Sequence, residues 1–358
     1  MKYSILVLLF LALFISSCND DFDINSDWED ITIVYGILDP SDTVHYIRIN
    51  KAYIGTGDVY EMAQQSDSIQ YQNILDVRLI EYQLISGGES LPFDANSWER
   101  TTRDTIHLDR TDEIEKLDSN YNGDPGTFAR DNNYLYKTTE LLKEKHKYKL
   151  EIHIPGKKEI VSSEAYMIYD LRVNKIQNPV MKFNMANEKT SQEIEWESAV
   201  YGKIFQPYLL FHYGEITAGD TTFNTVKIEY NEHVVNQVRI PDNYLGAKMS
   251  QAIGGIKFYE SLKQQIPVKS KNIIRVFASI DVVFLAGGNE FYNYLNVSST
   301  TISFGQEPPE FSNIINGVGL FDARYKYVVK GKQIIPESLD SLANGRFTKN
   351  LNFVMGSL

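Results

Sequence analysis

Tyr148-Lys149-Leu150-Glu151-Ile152-His153-Ile154 carries the clearest structural signal in the chain. Apolar residues alternate with polar ones at every step, which is the period of a strand with one face buried and one wet. Pro155-Gly156 stops it, since neither residue continues a ladder comfortably. Leu142 lies six residues ahead of Tyr148. In β-sandwiches of the immunoglobulin type, a tyrosine opening a strand often fixes a corner by hydrogen bonding to upstream backbone. Tyr148 is placed for that role.

Working outward, the flanking sequence repeats the β signal. Ile31-Thr32-Ile33-Val34-Tyr35-Gly36-Ile37-Leu38 is rich in β-branched residues and ends at the turn cluster Asp39-Pro40-Ser41-Asp42. A second strand, with a bulge in its alternation, is read between Thr43 and Ile54, and a third from Leu75 to Ile85. Pro179 and the polar stretch Asn184 to Ser191 mark a junction. Strands resume at 192–196, 208–216 and 226–230, and Asn272 to Leu285 reads as a long central strand ended by Gly287-Gly288. Two short helices are expected. One covers Ile256 to Gln265, with Ile256, Tyr259 and Leu262 on one face, and the other covers Asn289 to Ser299 and is placed to cap a sheet edge. The expected fold is mainly β: an immunoglobulin-like β-sandwich over 31–165, then a second β-rich domain over 166–358 with one or two short helices.

The first thirty residues have a different character. Lys2 precedes an apolar run from Ile5 to Ile15, and Ser16-Ser17 precede Cys18. As a helix the run would span roughly 16 Å at about 1.5 Å per residue, short of the ~30 Å hydrocarbon core, so it reads as a signal peptide over 1–17. Ile15-Ser16-Ser17-Cys18 resembles the lipobox cut by lipoprotein signal peptidase. Cys18 is the sole cysteine, so no internal disulfide can form and lipidation explains the residue. Residues 18–30 form an acidic tether. Asp20 and Asp21, just after the lipidated cysteine, resemble the signal that sends lipoproteins of Bacteroidota-type bacteria to the outer face of the outer membrane. The expected location is therefore the outer membrane, lipid-anchored, facing the exterior.

Composition narrows the partners. A formal net charge of −12 repels phosphate backbones, so nucleic acid is not an expected partner. Hydrophobic residues at 43% are ample for a core. No two of the six histidines stand within four residues, no G-x-S-x-G elbow or phosphate-binding loop is present, and Cys18 is consumed by lipid, so no catalytic residues and no cofactor are expected. Asp118-Ser119-Asn120-Tyr121-Asn122-Gly123 matches the first half of a calcium loop, with Asp118, Asn120 and Asn122 as oxygen donors. The twelfth position is Ala129 where a bidentate Glu belongs, and a solvent turn explains the same letters. Trp98, in the polar stretch Asn96-Ser97-Trp98-Glu99-Arg100, is the candidate for an exposed stacking platform for a glycan, against core packing as the ordinary use of a tryptophan.

Near the C-terminus stands Gln306-Glu307-Pro308-Pro309-Glu310-Phe311-Ser312-Asn313-Ile314-Ile315-Asn316-Gly317-Val318-Gly319-Leu320-Phe321. Together with the lipobox, Val34 to Leu38 and Asp42-Thr43-Val44, this segment resembles an uncharacterised lipoprotein family of Bacteroidota, a domain of unknown function, over about residues 28 to 325. The resemblance implies two β-rich parts, the first immunoglobulin-like, and company with outer-membrane TonB-dependent transporters. It brings no catalytic residues, and residues 326 to 358 lie beyond it. Physically, Pro308-Pro309 stiffens an extended approach, Asn316-Gly317 and Gly319 permit positive-φ turns, and Phe321 can lock into a core. The expected function is a non-catalytic binding or accessory protein for nutrient uptake with such a transporter, taking a glycan or peptide ligand. A stand-alone carbohydrate-binding surface protein and an enzyme without a recognisable motif remain as alternatives.

Overall fold

The computed structural model describes residues 31–52, 58–116, 126–178, 181–269, 272–299 and 310–357. The N-terminal strands are β1 (Ile31–Leu38), β2 (His45–Ala52), β3 (Asp76–Leu84), β4 (Trp98–Arg100), β5 (Ile106–Thr111), β6 (Leu135–Thr138), β7 (His146–His153) and β8 (Val161–Tyr166). They are followed by β9 (Arg172–Asn174), β10 (Ser191–Glu197), β11 (Ile204–Thr217), β12 (Asp220–Glu229), β13 (His233–Val234) and β14 (Lys248–Gly254). The last are β15 (Ile274–Gly287), β16 (Val318–Lys332) and β17 (Phe353–Ser357). Helices are short: α1 (Val59–Ala63), α2 (Ser66–Ile69), α3 (Gly255–Gln265), α4 (Asn289–Ser298) and α5 (Pro336–Asn344). The chain is mainly β, as the alternation predicts. No helix among the described residues is long and apolar enough to cross a membrane, a fact that says nothing of strands.

Alternation becomes burial in β7. Tyr148, Leu150 and Ile152 are fully buried, while Lys149, Glu151 and His153 face partly outward. Beyond β7, Gly156 takes φ +88° and Lys157 N–H donates to the Ile154 carbonyl at 3.0 Å, closing the turn. The Tyr148 hydroxyl accepts from the Lys143 backbone N–H at 2.8 Å and donates to Glu81 Oε2 at 2.8 Å. The corner expected at this tyrosine is therefore formed, one residue nearer than Leu142. The register of β3 against β7 sets Glu81 opposite Tyr148. Lys143 Nζ at 2.8 Å, Arg103 Nη1 at 3.0 Å and the Thr101 hydroxyl at 3.0 Å also donate to its carboxylate.

Several elements differ from expectation. β2 pairs with β1 over six residues in unbroken register, without a bulge. In α3 the buried side chains are Phe258, Tyr259 and Leu262, and Ile256 faces solvent, because the buried stripe starts at Gly255 against the Asn187 backbone. α4 lies beside β16 with its N-terminus on that strand. α5 and β17 fall in the C-terminal stretch for which the sequence offered no account.

The feature that organises the molecule is β16. Its first residues, Val318 to Ala323, pair in parallel with β1. Its remainder, Arg324 to Lys332, pairs antiparallel with β15. One strand thus joins residues from both ends of the chain, and the sheet runs β12-β11-β15-β16-β1-β2-β6-β5-β3-β7-β8. β9, β10 and β14 form a separate three-stranded sheet. A continuous apolar cluster extends from Val34, Leu79 and Leu150 to Trp196, Phe211 and Phe284. The ion pairs of Arg324 with Asp39 at 3.1 Å and Asp42 at 2.8 Å tie the point where β16 changes partner to the β1–β2 turn.

The Ser312–Phe321 segment closes the arrangement. Asn313 donates from Nδ2 to the Phe321 carbonyl at 2.7 Å and accepts the Phe321 N–H on Oδ1 at 3.0 Å. Ile315 exchanges backbone hydrogen bonds with Ser162, and Asn316 Nδ2 donates to the Ile160 carbonyl at 2.9 Å, latching β8 toward β16. Asn316 sits at φ +58° and Gly319 at φ +123°, and Phe321 is fully buried. Gly317 serves close approach to the Thr32 carbonyl rather than positive φ. Pro308 and Pro309 lie outside the described residues.

Candidate functional site

Where β8, β16 and the start of α4 converge, a cavity of about 580 Å³ opens. Each wall has a distinct origin. From β8 come Ser162, Ser163, Glu164 and Tyr166, and β7 contributes Lys149. The β3–β4 connection brings Phe93, and the turn before β11 brings Tyr201. Asn289 and Glu290 open α4, Asn313 and Ile315 belong to the latch, and Asp322 lies in β16. At this volume the cavity is in the range that holds small organic ligands.

The aromatic wall is built by mutual packing. Phe93 meets Tyr166 edge-on at 5.5 Å between centroids and Tyr201 at 5.9 Å, and Tyr166 lies 5.4 Å from Tyr201. Tyr201 holds φ +63°, a conformation that costs an L residue about 1–2 kcal/mol. Its backbone N–H donates to the Arg239 carbonyl at 2.9 Å. The buried Arg239 guanidinium in turn grips Asp170 Oδ2 at 2.8 Å and the Ser198 carbonyl at 3.1 Å. The Tyr201 hydroxyl is buried without a hydrogen-bond partner. Burial drives its ionisation, and that of Tyr166, well upward, so both remain neutral phenols. Phe93 is 57% exposed and forms the outer lip.

The opposite wall is carboxylate. α4 begins at Gly288, which has no side chain to cap the helix. Asp322 supplies the cap from the neighbouring strand: Oδ2 accepts the Phe291 N–H at 2.7 Å, while Oδ1 accepts the Ala323 N–H within β16 at 2.8 Å. Gly288 is required here, since a Cβ would fall 2.4 Å from that carboxylate. Burial pushes the Asp322 carboxyl up to about 7, against the pull of the backbone donors, and the neighbouring Glu290 charge adds to the rise. Glu290 accepts only from its neighbour Asn289, at 3.1 Å, and has no cationic partner among the described residues.

The residues singled out in the sequence fall elsewhere. Trp98 is not an exposed platform: it is 7% exposed, and its indole N–H donates to the Pro92 carbonyl at 2.7 Å. In β4 Trp98 points inward while the next residue, Glu99, points to the opposite face, so a polar sequence neighbour does not mark exposure. Trp98 instead backs the cavity, 5.6 Å from Tyr166. Cys18 and the loop with Asp118, Asn120 and Asn122 lie outside the described residues. Among the described residues, no group of three or more His, Cys, Asp or Glu is placed to hold a metal ion. All six histidines stand on strands. Phe93, Tyr166, Tyr201, Glu290 and Asp322 were not singled out. Asp322 did leave a trace, as a carboxylate inside the apolar run Leu320-Phe321-Asp322-Ala323. Neither a protein-family model nor a curated protein sequence matches this chain.

Proposed function

We propose that this chain is a lipid-anchored binding protein of the outer membrane, facing the exterior, and an accessory to nutrient uptake through a TonB-dependent transporter. Its ligand is held between β8, β16 and α4. The observation that carries the reading is the cavity itself, about 580 Å³, walled by aromatic and carboxylate side chains drawn from distant parts of the chain. Ile15-Ser16-Ser17-Cys18, the acidic Asp20 and Asp21 and the family resemblance support the anchor and the partnership.

Protein extracted from cell membranes is expected to begin at Cys18 and to carry the mass of a diacylglycerol, with or without an amide-linked acyl chain. Cys18→Ser is expected to abolish that mass and release the protein from the membrane. Purification in mild detergent should bring a barrel protein with it. An intact 1–17 segment in mature protein, or recovery without a barrel partner across growth conditions, overturns the reading.

A further inference from the structure

We infer that the cavity takes a compact organic cation, a primary ammonium or guanidinium on an apolar stem, with the basic side chain of a short peptide as the nearest chemistry. The inference rests on the reading of this cavity as the ligand site.

Charge decides the class. Glu164 is already paired with Lys147 at 3.0 Å, and Lys149 with Glu151 at 2.8 Å. What remains is Glu290, without a cationic partner among the described residues, beside the buried Asp322. A helix N-terminus ordinarily attracts an anion, but the Asp322 carboxylate already occupies the one at α4. An anionic ligand would therefore meet the Glu290 carboxylate and no vacant helix end. An apolar ligand would strip water from Glu290 without compensation, which is costly for a charge. A neutral sugar offers hydroxyl donors but no counter-charge. A cation answers the carboxylate and at the same time gains from the faces of Phe93 and Tyr166.

The chain uses this chemistry on the same ring. The Lys147 ammonium stands 5.6 Å from the Tyr166 centroid, 5.5 Å from Trp98 and 5.2 Å from Tyr82, with Glu164 as its counter-ion.

Calorimetric titration of the full lipidated protein in detergent tests the inference, using the tripeptides Ala-Lys-Ala and Ala-Arg-Ala, the neutral Ala-Gln-Ala, and maltose. The basic peptides are expected to bind at least tenfold more tightly than Ala-Gln-Ala. Glu290→Gln, a change at a half-buried helix position that leaves the Asp322 cap in place, should remove that preference. Phe93→Ala should weaken both basic peptides several-fold. Equal binding of the neutral peptide, an unchanged preference in Glu290→Gln, or failure of both basic peptides to bind at millimolar concentration overturns the inference. Maltose binding without peptide binding also overturns it while leaving the cavity as the ligand site, and none of these results bears on the anchor or the transporter.

Discussion

Gly319→Ala is expected to leave the protein unable to reach its native sheet. A Cβ at position 319 would lie 2.0 Å from the Val34 carbonyl oxygen, and the backbone holds φ +123°. The obstacle is main chain, so no rotamer change relieves it. Gly319 also pairs with Val34 in the parallel β1–β16 ladder, so the strand must part where both halves of the chain meet. Losses above about 4 kcal/mol come from a few named mechanisms, and a forced backbone clash at a special φ is among them. Urea unfolding should show a collapsed midpoint or no folded baseline. Gly331→Ala is the control: φ is +70°, yet nothing lies within 4 Å of its Cβ position. That variant should cost only about 1–2 kcal/mol, the left-handed penalty alone. Equal destabilisation by the two changes would remove the claim that β1–β16 contact sets the effect.

The second large effect belongs to Glu81. Burial alone would raise its carboxyl, but hydrogen bonds from Lys143, Tyr148, Arg103 and Thr101 outweigh it and bring the pKa down to about 2. A carboxylate whose folded pKa lies below its unfolded value stabilises the fold above the unfolded pKa. That contribution is lost as pH falls through the folded one. From the ordinary 4.5 to about 2, the linkage amounts to about 3 kcal/mol at neutral pH. Glu81→Gln should cost about that much at pH 7, because the Arg103 and Lys143 cations lose the carboxylate they converge on and the tyrosine corner loses its acceptor. The gap between wild type and variant should be full above about pH 5 and narrow toward pH 2. Denaturant titrations at pH 7, 5, 4 and 3 measure it. A gap that stays constant across that series would show that shape rather than charge holds the corner.

These two positions also show where the sequence is readable. Tyr148 announced its strand and its corner through local alternation, and β1 and β15 were visible as β-branched runs. The partner of β1 was not visible. Nothing in Ile31–Leu38 says that residues 318–323 will lie beside it, because pairing is a property of the assembled chain and not of a window. The cavity suffers from the same limit, since Phe93, Tyr166, Tyr201, Glu290 and Asp322 span 230 positions and no motif spacing joins them. The burial of Trp98 is not legible from its polar neighbours, because Ser97 is buried with it and Glu99 simply faces the other side of the strand. Gly317 and Gly319 were legible as glycines with a purpose, and the structure adds which carbonyl each one approaches.

β1 is among the first strands to be synthesised, and one of its two neighbours is encoded some 285 residues later. A nascent polypeptide therefore carries a naked hydrogen-bonding edge at residues 31–38 through most of its own translation. Such an edge invites pairing with foreign chains, and long-separation pairing slows maturation. Holdase binding during translation, or a stop codon placed before Val318, should expose that vulnerability as chaperone retention or inclusion bodies of the shortened product.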